Sequence, residues 1–162
     1  MDFSSKQLIF AKKMTTTLFI QAYSEARTRL TTLLEIITEI DLSKKLHPAP
    51  NSVGFLMRHI GDVELLFAKN VFHGADIHVV AKTLIDGEDT GVWTNLEEIK
   101  THLQNAYHNL LEVLKTQPDN SWSELVTTKE FGTKTKAEAF GRIISHTAYH
   151  AGQIALILKY GK

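Results

Sequence analysis

Cysteine is absent from the 162 residues, which excludes disulfides, thiolate nucleophiles and thiolate metal sites. Any transition-metal site must then be built from histidine and carboxylate. Net charge is absent too, because 18 Lys and Arg balance 18 Asp and Glu. A chain without excess positive charge lacks the main driving force for binding phosphate backbones, so no nucleic-acid partner is expected. The basic pairs Lys12–Lys13 and Lys44–Lys45 are short, are not interleaved with aromatics, and read as solvated surface. No apolar run approaches the ~20 residues that span a bilayer. The opening MDFSSKQLIFAKKM has an acid at position 2 and only a short apolar stretch, unlike a signal peptide. A soluble, cytoplasmic protein with no membrane partner is expected.

What is present reads as one globular domain over residues 1–162: 43% hydrophobic and 22% charged residues, at a length that can bury a core without staples. The apolar period is helical over four segments. The first covers roughly 13–40 and carries Leu18, Phe19, Ala22, Ala26, Leu30, Leu33, Leu34, Ile37 and Ile40. Pro48 and Pro50 break the chain; Asn51 or Ser52 then caps a second helix running to about His73, where Gly74 stops it. Its stripe is Val53, Leu56, Ile60, Val63 and Phe67. Thr94 and Glu97 form a capping box for a third helix that ends near Lys115, before Pro118. Thr135 and Glu138 form another for a fourth that reaches about Tyr160, with Gly161 as its cap. The period is lost over 74–93 and 117–134, where LVTTKEF suggests a short extended piece. Helices of roughly 20 to 28 residues are about 30–40 Å long and match well enough to pack side by side. The fold class is therefore all-α, a four-helix bundle with long inter-helix loops able to wall a pocket.

One stripe of the fourth helix is unusual. Ala139, Ile143, His146, His150, Gln153 and Ile157 step by four and three, so two histidines and a glutamine stand where core residues are expected. The four-residue step sets both imidazoles on one face, within reach of a single ion. His59 lies among Phe55, Leu56, Ile60 and Val63 on the second helix, bringing a third imidazole to the same interior. Buried, unpaired imidazoles cost on the order of 1–3 kcal/mol each, so three together ask for a shared partner. His47, His73, His78, His102 and His108 lie near helix ends or in polar surroundings and read as surface residues. A zincin helix has glutamate after its first histidine; here Thr147 stands there, which disfavours peptidase chemistry. A Ser-His-Asp order, a phosphate-binding loop, GxGxxG and the Glu-x-x-His pairs of di-iron bundles are all missing.

NSVGFLMRHIGDVELLF and ISHTAYHAGQIALIL, with the GVWTNLEEI and FGTKTKAEAFGRIISH runs, resemble the DinB/YfiT-like superfamily of metalloenzymes. The HxxxHxGQ ending is the most specific element, and the resemblance covers nearly the whole chain. It implies a four-helix bundle whose metal triad falls on His59, His146 and His150, and a homodimer. It also implies chemistry with low-molecular-weight thiols, as in the family's S-transferases and isomerases. Three neutral imidazoles leave a position open on one divalent ion, and zinc and nickel suit nitrogen donors best. Three readings stay open: a metal-dependent thiol S-transferase acting on a small molecule, a hydrolase using a metal-bound hydroxide, and a non-enzymatic dimeric stress or binding protein. Asp62 is a candidate to orient His59, Gln153 to hydrogen-bond a ligand histidine or a substrate, and Trp93 to wall a pocket. Gly141 and Gly152, inside the last helix, suggest close approach of neighbouring backbones.

Overall fold

A computed structural model describes residues 14–162; the Lys12–Lys13 pair and the N-terminal run lie outside it. Four long helices form the bundle: α1 (Met14–Ile36), α2 (Val53–Asn70), α4 (Leu96–Thr116) and α5 (Lys136–Tyr160). A short helix, α3 (Lys82–Asp86), lies in the connection before α4, and a hairpin, β1 (Leu125–Thr128) with β2 (Gly132–Thr135), lies in the connection before α5. β1 and β2 are antiparallel, with Val126 opposite Lys134 and Thr127 opposite Thr133, so LVTTKEF does contain an extended piece. Among the described residues no helix is long and apolar enough to cross a membrane.

Local chemistry sets the helix limits. Ser52 Oγ accepts from Phe55 N–H and starts α2, while Thr135 and Glu138 form the expected capping box of α5. The expected box at Thr94 is displaced by one residue: Asn95 caps α4 by accepting from Glu98 N–H, and Asn ranks above Thr as a cap. The first helix ends at Ile36, not Ile40, because Thr38 turns its backbone N–H and hydroxyl to Asp41 Oδ2, leaving Ile40 79% exposed. α2 stops at Asn70 instead of His73. His73 itself takes the left-handed conformation, φ 59°, and Gly74 N–H closes back on Ala68 O, so a left-handed residue ends the helix.

α2 is the central element, with thirteen of its 18 residues buried; it packs against α4 and α5, and α1 packs against the same two. Glycine permits close approach on α2. A Cβ at Gly54 would stand 2.0 Å from the Trp93 carbonyl oxygen, so the connection before α4 can cross there only over glycine. The expected approach at Gly141 and Gly152 is not found: both face open space.

The core is two apolar clusters with a polar layer between them. Val63, Phe67, Phe72, Leu110, Trp122, Phe140 and Ile143 belong to one, Leu30, Leu56, Met57, Ile60, Leu103 and Ile154 to the other. At the junction Arg27 of α1 is ion-paired with Glu64 of α2, both almost fully buried. Tyr23 Oη and Thr147 Oγ1 also donate to the same Glu64 oxygen, at 2.6 and 3.2 Å, and Arg27 Nη2 donates to the Leu103 carbonyl of α4. All four long helices are joined here. The α1 stripe read from apolar residues alone is therefore rotated from the real one, which is Thr16, Tyr23, Arg27 and Leu30, with Leu18 56% exposed.

Removing one member of a buried pair strands the other charge. Arg27→Met is expected to cost about 3–5 kcal/mol of stability in urea unfolding, against about 1–2 kcal/mol for Tyr23→Phe. Similar losses for the two variants would show that the ion pair does not set the core.

Candidate metal centre

α2 and α5 bring the three histidines together. One donor atom from each of His59, His146 and His150 lies within 4.8 Å of the others, and His59 Nε2 stands 3.1 Å from His146 Nε2. The ring centroids are 5.0 Å apart for His59 with either partner and 4.4 Å for His146 with His150. The cluster is half-buried on the flank of the core stripe. The fully buried line of α5 runs instead through Ile143, Thr147, Ala151, Ile154 and Ile157, which corrects the expectation that the histidines occupy core positions. Thr147 on that line is anchored to Glu64, and this fixes the rotation of α5 that turns His146 and His150 toward His59.

Neighbouring side chains choose the tautomers. Thr83 of α3 gives its hydroxyl and backbone N–H to Asp62 Oδ2, at 2.9 and 3.1 Å. With that proton committed, the Thr83 oxygen accepts from His59 Nδ1, 3.2 Å away, so Nε2 keeps its lone pair toward His146. Asp62 thus acts on His59 through Thr83. Gln153 Oε1 lies 2.6 Å from His150 Nδ1 while Gln153 Nε2 donates to Tyr149 Oη. An amide oxygen only accepts, so His150 Nε2 is also left free. His146 Nδ1 is buried without a partner.

Burial, then the neighbouring His150, pushes His59 down to about 4; burial, then His150, His59 and Arg142, pushes His146 down to about 3. Burial also lowers His150, partly opposed by Gln153. All three are neutral at pH 7, the form that binds metal. Tetrahedral coordination at ~2.0–2.1 Å puts nitrogen donors about 3.3 Å apart, which this spacing accommodates with small ring movements. Three neutral imidazoles, two of them held with the Nε2 lone pair turned inward, could together hold a metal ion.

Asp62 is more connected than the sequence suggests. Burial pushes its carboxyl up, but His102, Thr83 and Arg58 overcome this and hold it below the usual range. Arg58 Nε donates at 2.9 Å, and His102 Nε2 stands 2.9 Å away on α4. His102 is thus half-buried against α2, contrary to its reading as a surface residue, whereas His47, His73, His78 and His108 are exposed. Thr83 could not be found from the sequence, since it lies in a stretch with no period. Trp93 is 7% exposed beneath the Arg58 guanidinium and lines a cleft that contains none of the three histidines.

A second cleft, of about 330 Å³, opens beside His146 and is lined by Val63, Phe67, Glu130, Arg142, Ser145 and Tyr149. The family model of the DinB superfamily matches residues 22–154, a span that reaches into all four long helices and contains the three histidines. A search of curated proteins gives no match.

The pH dependence follows from the histidine shifts. A histidine whose folded pKa is lowered takes up its proton in the unfolded chain first, so the unfolded state binds more protons below pH 6.5. Metal-free protein is expected to lose thermal stability as pH falls from about 6.5 toward 4. His146→Gln should flatten that slope; an unchanged slope would mean that His146 is not the buried neutral base described.

Proposed function

Because the chain belongs to the DinB superfamily, we propose that it is a metal-dependent enzyme acting on a small molecule through one zinc or nickel ion held by His59, His146 and His150. The reaction that fits best is S-transfer from a low-molecular-weight thiol. The observation that carries this reading is the convergence of three imidazole donors, with the outer nitrogens of His59 and His150 engaged by Thr83 and Gln153.

Each neighbouring residue has a part in that reading. Thr83, fixed by Asp62, and Gln153 hold His59 and His150 with Nε2 inward. The ion, when bound, supplies Lewis acidity that lets a thiol or a water give up its proton near neutral pH. A cysteine-free chain suits a thiol brought by the substrate, since no protein thiol competes for the open position. Val63 and Phe67 wall the adjoining cleft and limit water there. Tyr149 Oη accepts from Gln153, which leaves its own proton for an acceptor on the substrate.

Elemental analysis of protein purified without a histidine tag should give a metal-to-chain ratio near one, lost in His150→Ala. Thr83→Val keeps the shape but removes the acceptor for His59 Nδ1–H, and should weaken zinc binding by roughly 10–100-fold. A screen of the loaded protein with small thiols and electrophilic acceptors should show thioether formation. Turnover of an ester or amide with no thiol present would replace transfer by hydrolysis. Full stability under chelation together with no bound metal would remove the enzymatic reading.

A further inference from the structure

The cleft beside His146 has a charge arrangement that the histidines do not explain. Its volume of about 330 Å³ is at the lower end of the range for small-molecule sites. Val63 follows His59 by four residues and Phe67 follows Val63 by four, so one face of α2 runs from the histidine cluster into an apolar wall. Across the cleft Arg142 precedes His146 by one turn of α5, and such neighbours have Cβ atoms about 5–6 Å apart.

The Arg142 guanidinium forms no ion pair and no hydrogen bond among the described residues. Its recorded contact is with the Phe131 ring, whose centroid lies 5.7 Å from Cζ. Two other arginines of the bundle are committed, Arg27 to Glu64 and Arg58 to Asp62, while Arg29 is exposed on α1 and lines no part of this cleft. Arg142 therefore presents five donors in a permanently charged fork whose planar geometry matches a carboxylate. Glu130, the other charged residue on the cleft, is exposed at the tip of the hairpin and likewise unpaired. A carboxylate there disfavours a second negative charge on the ligand.

We infer that Arg142 anchors the carboxylate of a small, monoanionic substrate whose apolar body lies against Val63 and Phe67 and whose reacting end faces His146. Only the role of that reacting end rests on the reading of the histidines as a metal centre. The spacing of one helical turn selects a molecule in which carboxylate and reacting group are separated by a short chain of atoms.

The test uses 3-phenylpropanoate and 3-phenylpropanamide, which share shape and differ in charge, titrated into isotopically labelled metal-free protein at pH 7 and followed by NMR. The carboxylate should move the Arg142 Nε–H resonance and bind roughly tenfold or more tightly than the amide, as expected for a charge-assisted pair. Arg142→Gln, a change at an exposed position, should bring the two affinities within about twofold of each other, and Arg142→Lys should restore part of the preference. Equal affinities in the unaltered protein, no binding of either probe, or a preference that survives Arg142→Gln would overturn the inference. Adding zinc separates the two readings. If zinc leaves the His59, His146 and His150 resonances unmoved, the metal centre fails while the Arg142 result stands. If a carboxylate preference appears only with zinc and persists in Arg142→Gln, the carboxylate is binding the ion and the anchor is refuted.

Discussion

The Arg27–Glu64 ion pair organises this bundle. Glu64 is wholly buried, and one of its oxygens collects Arg27, Tyr23 and Thr147 while the other has no partner. Burial pushes the Tyr23 phenol well above its ordinary value, and the adjacent Glu64 charge adds to this, so Tyr23 stays a donor. A charge pair in a core contributes little to stability unless its geometry is good, because both ions lose their hydration. Here its consequence is alignment: α1, α2, α4 and α5 all supply a group to the layer, so sliding α1 or α2 by one turn would strand a charge and sliding α4 or α5 would break a buried hydrogen bond.

Alignment leads directly to the candidate metal centre. Thr147 is both the α5 member of the polar layer and the residue that follows the first histidine of HTAYH. A helix held at Thr147 cannot turn His146 and His150 away from His59 without breaking its bond to Glu64. A second buried acid, Asp62, does similar work one level along α2. It gathers Arg58, His102 and Thr83, and through Thr83 it sets the tautomer of His59. The two acids lie two residues apart on α2, one serving the packing of the helices and the other the orientation of a ligand.

Much of this was legible in the sequence because period and capping are local. The four long helices, a cap at Asn51 or Ser52 and the Thr135–Glu138 box follow from residues within a few positions of each other. The meeting of His146 and His150 follows from one helical step. The face of α1 was misread for a physical reason: an apolar stripe is a good guide only when the core is apolar, and Tyr23 and Arg27 occupy a polar layer whose acid comes from α2. Asp62 and Glu64 do interrupt the apolar run GDVELLF, but which basic group answers each is decided by tertiary packing. Thr83, His102 and the Arg142 cleft were hidden for the same reason, since each has its partner or its wall on another element.

The connection between α2 and α4 spans residues 71–95, and Thr83 fastens its midpoint to Asp62. A fastened midpoint divides one long tether into two of twelve residues each, 71–82 and 84–95. Each half closes its own ring, and ring closure grows costlier only slowly with length. Insertions in the first half can therefore reshape that side of the molecule's rim while the second keeps its path, being pinned again where Asp89 accepts from Ser52 N–H and where Trp93 crosses Gly54.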